Sequence, residues 1–113
     1  MVAFIHKLDL ESKIQVEIVP PFYFSYKIAK EHPLIQSVEK AYVATMKNKP
    51  VYAYQGMITD ANTFMGEGEI PTAHVGPKGG NLHALDEYVE IKSLYEMANI
   101  YSHAYVNFQK TSK

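Results

Sequence analysis

The sequence of 113 residues lacks cysteine and tryptophan and has no long apolar run. Without cysteine there are no disulfide bonds and no thiolate metal ligands, so a metal ion would be bound by histidine, aspartate or glutamate. The apolar start, residues 1–5, is too short for a signal peptide or a membrane span. A net charge of −1 gives no electrostatic reason to expect a nucleic acid or an anionic membrane as partner. We therefore expect a cytoplasmic protein that binds neither.

The first part of the chain is patterned for extended structure. Hydrophobic residues make up 47% and charged residues 20% of the sequence, which is typical of a globular protein. Polar and apolar residues alternate from Lys13 to Val19, which predicts a half-buried strand. Pro20 and Pro21 end that strand because neither can donate a ladder hydrogen bond. The aromatic residues 22–28 form either a second strand or an ordered connector.

The remaining chain alternates between helical and strand-like patterns. Pro33 begins a helix with one apolar stripe that ends near Lys47. After it, the sequence predicts a strand, a short helix, a strand and a long helix, at residues 51–54, 60–66, 70–75 and 91–108. Strand, helix, strand predicts a parallel βαβ unit with a right-handed crossover. We expect a β-rich part at residues 1–30 and an alternating α/β part at 31–113.

A polar cluster follows the strand at 70–75, after a glycine-rich turn over residues 76–80. A neutral imidazole at His83 could bind Zn²⁺ with Asp86 or Glu87 orienting it, or it could be a surface loop histidine. Asp86 and Glu87 could equally be the cap and first-turn acids of the last helix. The turn lacks the spacing of a phosphate-binding loop.

A second candidate site follows the strand at 51–54. Thr59 or Asp60 is expected to cap the short helix, and both could also bind a substrate carboxylate near its amino end. Gly56 would let a ligand approach the backbone closely. His74 is expected to be a satisfied core or edge residue, and His103 a helix-surface residue.

Several of these segments resemble, in order, the final part of the zinc-dependent deacylase and exopeptidase family. Its members include acetylornithine deacetylase, succinyl-diaminopimelate desuccinylase, aminoacylase and carboxypeptidase G. The motifs that carry the resemblance are GEIPT at 68–72, Gly76-Pro77, HALDEYV at 83–89, GMITDAN at 56–62 and HPLIQ at 32–36. They are similar to the family patterns G-I-P-T, G-P, H-x-x-N-E-x-V, G-G-x-T-D-A-R and H-P-L-V.

The resemblance implies the closing segment of an α/β/α catalytic domain at 31–113 and the end of a lid domain at 1–30. It also implies a hydrolase with two zinc or cobalt ions that cleaves N-acyl amino acids or small peptides. In that family the histidine matching His83 binds one metal ion, and the metals lower the pKa of a bridging water. The threonine matching Thr59 lies in the loop that holds the substrate carboxylate.

The chain also departs from the family pattern. Met57 replaces a glycine, Asn62 an arginine and Asp86 an asparagine, which puts the substrate contacts in question. The family's His-x-Asp motif and Glu-Glu pair occur nowhere in the sequence. The sequence therefore predicts a carboxy-terminal fragment with no catalytic residue of its own, which is inactive alone and associates with itself or with an amino-terminal partner chain. The alternatives are a non-catalytic binding, regulatory or dimerisation module, and a small structural domain whose His83 binds nothing.

Overall fold

The computed structural model describes residues 17–20, 22–54 and 56–111. In chain order these form helix α1 (Pro33–Met46), a π-helix (Asn62–Glu67), strand β1 (Gly79–Gly80), strand β2 (Tyr88–Val89) and helix α2 (Ile91–Thr111). The remaining described residues are turns and extended segments. Between residues 17 and 111, with positions 21 and 55 left aside, neither α-helix is both long and apolar enough to cross a membrane.

Helix α1 begins and ends where the sequence predicts. Pro33 is at its first position, and the Nδ1 atom of His32 accepts a 3.1 Å hydrogen bond from the Leu34 amide. This cap satisfies one of the amide groups that a helix start leaves without a partner. At the other end, Lys47 adopts a left-handed conformation with φ of 61°, and its amide donates to the Val43 carbonyl. The predicted helix is confirmed.

Helix α2 packs along α1 and supplies most of the buried core. The buried cluster is Ala41, Met97, Ile100 and Ala104, with four partly buried side chains around it: Val38, Tyr42, Met46 and Val75. The predicted helix at 91–108 is confirmed and continues to Thr111. On this helix Ile100 is buried, whereas Leu94, Tyr101 and Tyr105 remain exposed.

The predicted strands at 51–54 and 70–75 do not form. Both segments are extended but have no strand pairing, so the predicted βαβ unit is wrong for the described chain. The sheet in this part of the molecule is an antiparallel hairpin, in which Gly79 pairs with Val89 and Gly80 with Tyr88. Local β-propensity favours an extended backbone, but a strand also needs a ladder partner.

The short helix is in its predicted place with an unexpected form. Residues 60–61 are helical and continue into the π-helix, where the Gly68 amide donates 2.9 Å to the Thr63 carbonyl. Thr59 directly precedes the helical residues 60–61, the position predicted for the cap, and its amide donates 2.9 Å to Oδ1 of Asn62. The π-helix that follows Ala61 has no side-chain cap of its own. A Cβ atom on Gly66 would lie 3.0 Å from the carbonyl oxygen of Phe24, so this helix touches the aromatic segment.

The amino-terminal expectations are met only in part. Residues 13–16 of the predicted first strand lie outside the described residues, and 17–19 are not in a strand. Residues 22–29 are an irregular connector, one of the two forms expected for them. The division of the chain at residue 30 stays a prediction. Helices with a two-stranded sheet are consistent with an α/β fragment.

Candidate functional site

His83 lies in the loop that joins β1 to β2. Three residues of this loop have left-handed backbone conformations, with φ of 56° at Asn81, 59° at His83 and 58° at Asp86. Asparagine, aspartate and histidine adopt this region more readily than other residues with a Cβ atom. The Asn81 carbonyl accepts 2.9 Å from the Ala84 amide, and the Asn81 side chain donates 3.3 Å to the Asp86 carbonyl. Asn81 therefore closes the loop that carries the imidazole.

The whole loop is exposed to solvent, from Asn81 to Glu87. Two apolar side chains flank the imidazole, and they are 56% exposed at Leu82 and 91% exposed at Leu85. Backbone strain of this kind, in a loop with exposed apolar residues, is common where a loop meets a ligand or another polypeptide. The surroundings of His83 are thus those of a group presented outward, not of a histidine packed in a core.

A buried serine holds this hairpin against α2. Ser93 is 1% exposed, and its Oγ atom accepts a 3.0 Å hydrogen bond from the Lys78 amide while donating 2.6 Å to the Glu90 carbonyl. The Glu90 amide also donates 2.8 Å to the Lys78 carbonyl. Both ends of the hairpin are therefore fixed at the amino end of α2, which sets the position of the His83 loop. Sequence reasoning did not single out Ser93.

The alternative interpretation, in which Asp86 and Glu87 are the cap and first-turn acids of the last helix, is wrong. Helix α2 begins at Ile91 and has no acidic residue in its first turn, because Tyr88 and Val89 form β2 between the two acids and the helix. Both carboxylates are exposed and lie in sequence within four residues of His83. Their role in orienting the imidazole stays a prediction.

Thr59 belongs to a separate hydrogen-bonded group. Its amide donates 2.9 Å to Oδ1 of Asn62, and its Oγ1 atom lies 3.0 Å from Nε2 of His74. Nδ2 of Asn62 donates 3.0 Å to the Phe24 carbonyl. Asn62, where the family pattern has an arginine, thus holds Thr59 and the aromatic segment together. His74 is exposed and not in the core, but it has the hydrogen-bond partner that was expected.

The other predicted substrate residues surround Thr59 in the sequence. Asp60 and Gly56 are both exposed, and a Cβ atom on Gly56 would meet nothing within 4 Å. The Thr59 amide is already taken by Asn62, and the Thr59 hydroxyl lies 3.0 Å from Nε2 of His74. The hydroxyl has one hydrogen, so it can donate to a carboxylate when it accepts a hydrogen bond from that ring nitrogen. His103 is exposed on α2, as expected for a helix-surface residue.

A complete metal site does not form within the described part of the chain. Residues 17–20, 22–54 and 56–111 contain no group of three or more histidine, aspartate or glutamate side chains placed to hold a metal ion. A structural or catalytic zinc ion needs at least three protein ligands. His83 and its two neighbouring acids therefore do not fit a metal ion without further ligands.

Two surface depressions lie away from all of these residues. One, of about 340 Å³, is lined by Tyr105, Val106, Gln109 and Lys110 near the end of α2. The other, of about 530 Å³, lies between the two helices and includes Gln36, Glu39 and Asn107 in its lining. Neither contains a predicted site residue, so neither is the candidate site.

Comparisons with known proteins identify the family of this chain but no individual relative within it. The sequence profile of Peptidase family M20/M25/M40 matches residues 9–107 of this chain. No curated protein matches significantly, and no solved structure does either. The profile spans both the Thr59 group and the His83 loop, and membership indicates a hydrolase of the metallopeptidase or amidohydrolase kind. Since the match covers most of the sequence, the chain belongs to Peptidase family M20/M25/M40.

Proposed function

We propose that this chain is the carboxy-terminal part of a cytoplasmic metal-dependent hydrolase that cleaves N-acyl amino acids or small peptides, as acetylornithine deacetylase does. His83 contributes one ligand to a site for zinc or cobalt, and the other ligands and the general base come from a polypeptide region outside this sequence. The observation that carries the proposal is the His83 loop, which presents an imidazole on a strained and exposed hairpin in a chain of this family.

The loop's construction supports a role beyond its own folding. A left-handed conformation at a residue other than glycine costs about 1–3 kcal/mol and persists only where surrounding contacts impose it. Here the loop pairs three such residues with a buried anchor at Ser93. Backbone conformations of this kind cluster at ligand-binding sites, which supports a binding role for the loop.

Each residue of the proposed site has one task. His83 would hold the metal ion through one ring nitrogen, and Asp86 or Glu87 would accept a hydrogen bond from the other ring nitrogen. The Thr59 hydroxyl binds the substrate carboxylate, with Asp60 and the open backbone at Gly56 lining the same place. When bound, the metal supplies a polarised carbonyl and a water of lowered pKa.

The first experiment assays the purified chain, without a histidine tag, on N-acetyl amino acids with added Zn²⁺ or Co²⁺. We expect no turnover. Clear turnover by the chain alone would contradict the proposed division of the active site.

The coding sequence upstream of Met1, or a neighbouring reading frame, is then searched for the His-x-Asp and Glu-Glu motifs.

The second experiment combines the chain with the polypeptide that carries those motifs. We expect activity that His83→Ala lowers by at least about 100-fold, since a lost metal ligand or its support costs 10- to 100-fold or more. His103→Ala is the matched control, because His103 is an exposed histidine on α2. Equal activity of the two variants would show that His83 is not a metal ligand. It would favour a non-catalytic binding or regulatory module.

A further inference from the structure

His74 contacts one of the residues proposed to bind substrate. Its Nε2 atom lies 3.0 Å from Oγ1 of Thr59, within hydrogen-bond distance, although the two residues are 15 positions apart in the sequence. His74 is exposed and Thr59 is half-buried, so the pair lies at the surface, where a ligand can reach it. The function proposed above uses the Thr59 hydroxyl and gives His74 no task.

The backbone of Thr59 is already fixed by Asn62. The Thr59 amide donates 2.9 Å to Oδ1 of Asn62, and the Thr59 carbonyl accepts a 2.9 Å hydrogen bond from the Asn62 amide. The Asn62 side chain is itself held, because its Nδ2 atom donates 3.0 Å to the Phe24 carbonyl. One backbone donor and one backbone acceptor thus determine which way this side-chain amide is turned. The hydroxyl is the polar group of Thr59 that these contacts leave for a ligand.

The segment that carries His74 is fixed independently of Thr59. The next residue, Val75, packs against the buried core of α1 and α2. Its carbonyl accepts a 2.7 Å hydrogen bond from the Tyr101 hydroxyl on α2. His74 therefore reaches Thr59 from a segment whose position the helices set, and its contact with Oγ1 joins two separately held parts of the chain.

The direction of this hydrogen bond decides what Thr59 can recognise. A threonine hydroxyl has one hydrogen, and its oxygen can accept as well as donate. When Nε2 of His74 carries a proton, it donates to Oγ1, and the hydroxyl hydrogen is available to a ligand that accepts. When Nε2 is unprotonated, it accepts that hydrogen itself, and Oγ1 can then only accept from a ligand. A carboxylate only accepts hydrogen bonds, so it requires the first arrangement.

We propose that His74 is the positioning residue for the substrate-binding hydroxyl of Thr59, and that its Nε2–H group turns the hydroxyl hydrogen toward the substrate. This inference rests on the proposed function, in which Thr59 binds a carboxylate. It assigns His74 a part in selecting substrates whose end group accepts hydrogen bonds. In this role His74 acts through Thr59 rather than by contacting the substrate.

The first test determines the tautomer of His74 in the purified full chain, without any assay of activity. Long-range ¹H–¹⁵N NMR correlations distinguish a ring nitrogen that carries a proton from one that does not, and His74→Gln identifies the His74 signals. We expect a proton on Nε2, and we expect Thr59→Val to shift the His74 signals because it removes the hydroxyl. His103, exposed on α2, is the control and should keep its signals in Thr59→Val. A proton on Nδ1 alone, or unchanged His74 signals, would overturn the proposal.

The second test measures kcat and KM of the chain combined with the polypeptide that carries the His-x-Asp and Glu-Glu motifs. His74→Leu removes the donor. We expect KM for N-acetyl amino acids to rise about two- to ten-fold, the usual effect of one hydrogen bond, with kcat nearly unchanged. His74→Gln should restore KM, since its side-chain amide can donate to the same oxygen. His103→Leu is the matched control and should change neither constant.

The variants separate this inference from the function on which it rests. Thr59→Val should raise KM at least as much as His74→Leu, and the double variant should add little, because both changes act on the same bond to the substrate. A rise in KM for Thr59→Val but not for His74→Leu would overturn the positioning role and leave the proposed function intact. So would a His74→Leu variant with lower thermal stability and lower kcat but the natural KM, since the contact would then be structural. An unchanged KM in Thr59→Val would contradict the substrate-binding role in the proposed function itself, and the inference with it.

Discussion

The hydroxyl of Tyr101 donates a 2.7 Å hydrogen bond to the backbone carbonyl of Val75. Val75 packs on the edge of the core formed by α1 and α2, and it precedes the turn that leads into the hairpin. This contact therefore ties the extended segment at 70–75 to α2 at its middle, while Ser93 ties the hairpin to the start of the same helix. Together the two contacts set where the His83 loop lies.

Tyr101→Phe removes that hydrogen bond and keeps the ring. We expect a loss of about 0.5–1.5 kcal/mol in the free energy of unfolding, the usual net contribution of one such bond. Chemical denaturation followed by circular dichroism measures it. Tyr105→Phe is the control, since Tyr105 is 67% exposed on the same helix and should change little. Equal effects would mean that the Tyr101 contact adds no stability.

Ser93→Ala should lower the free energy of unfolding more than a serine substitution elsewhere on α2. It leaves the Lys78 amide without its acceptor in a partly buried place, which costs about 1–3 kcal/mol. Ser102→Ala is the control, because Ser102 is exposed and only donates 2.8 Å to the Ala98 carbonyl one turn earlier. Thermal unfolding of both variants, with amide exchange at Lys78, separates a loosened hairpin from general instability. Unchanged protection at Lys78 would count against the anchor.

The helices could be predicted from the sequence because their signals are local. Pro33 at the first position and the apolar spacing along 91–108 depend on residues within a few turns of each other. The cap by His32 was missed, although its position directly before the helical proline was the available signal. Ser93 was missed because serine is usually a surface residue. Its spacing from Met97, Ile100 and Ala104 places it on the buried face of the helix.

The strands and the site could be predicted less well because both depend on partners distant in sequence. The segments at 51–54 and 70–75 have strand-forming side chains, but a ladder requires a neighbouring strand that the described residues do not supply. In the same way, the hydrogen bond between Thr59 and His74 joins residues 15 positions apart, and neither residue's neighbours indicate it. The π-helical form of 62–67 likewise accompanies the contact of Gly66 with Phe24.

No glycine in the described chain has a positive φ, so backbone conformation does not require a glycine at position 79. Gly79→Ala should nevertheless disrupt the hairpin, because there is no space for its side chain. An added Cβ atom on Gly79 would overlap the carbonyl oxygen of Tyr88 on the paired strand. Relief requires the strands to separate, at a cost of about 1–3 kcal/mol. We expect lower thermal stability and shifted NMR signals of Tyr88 and His83.

Gly56→Ala is the matched control for that substitution. A Cβ atom there would have nothing within 4 Å, so the folded chain accepts the methyl group without strain. The same change also restricts the unfolded chain, so its stability should be unchanged or raised by up to about 1 kcal/mol. A Gly79→Ala variant as stable as Gly56→Ala would show that the hairpin is not packed as described.

Tyr52 gives the chain a pH dependence in the alkaline range. Partial desolvation against α1, the hydrogen bond to Glu39, and the charges of Glu39 and Glu31 raise the pKa of its phenol above the ordinary value of 10.0. The folded chain therefore keeps this proton at a pH where the unfolded chain has released it. The resulting stability is fully present below pH 10.0 and is lost as the pH rises through the folded-state pKa.

Thermal unfolding measured from about pH 9 to pH 11 should show that loss as a falling midpoint, because tyrosine titrates in this range. Tyr52→Phe should flatten the fall, since it removes the titrating group. Glu39→Gln should reduce it, since the amide oxygen still accepts the hydrogen bond but carries no charge. Tyr54→Phe is the control at an 83% exposed position and should leave the profile unchanged. An equal effect of Tyr52→Phe and Tyr54→Phe would show that the loss of stability at alkaline pH comes from the titration of another group. Glu39 would then have no part in it.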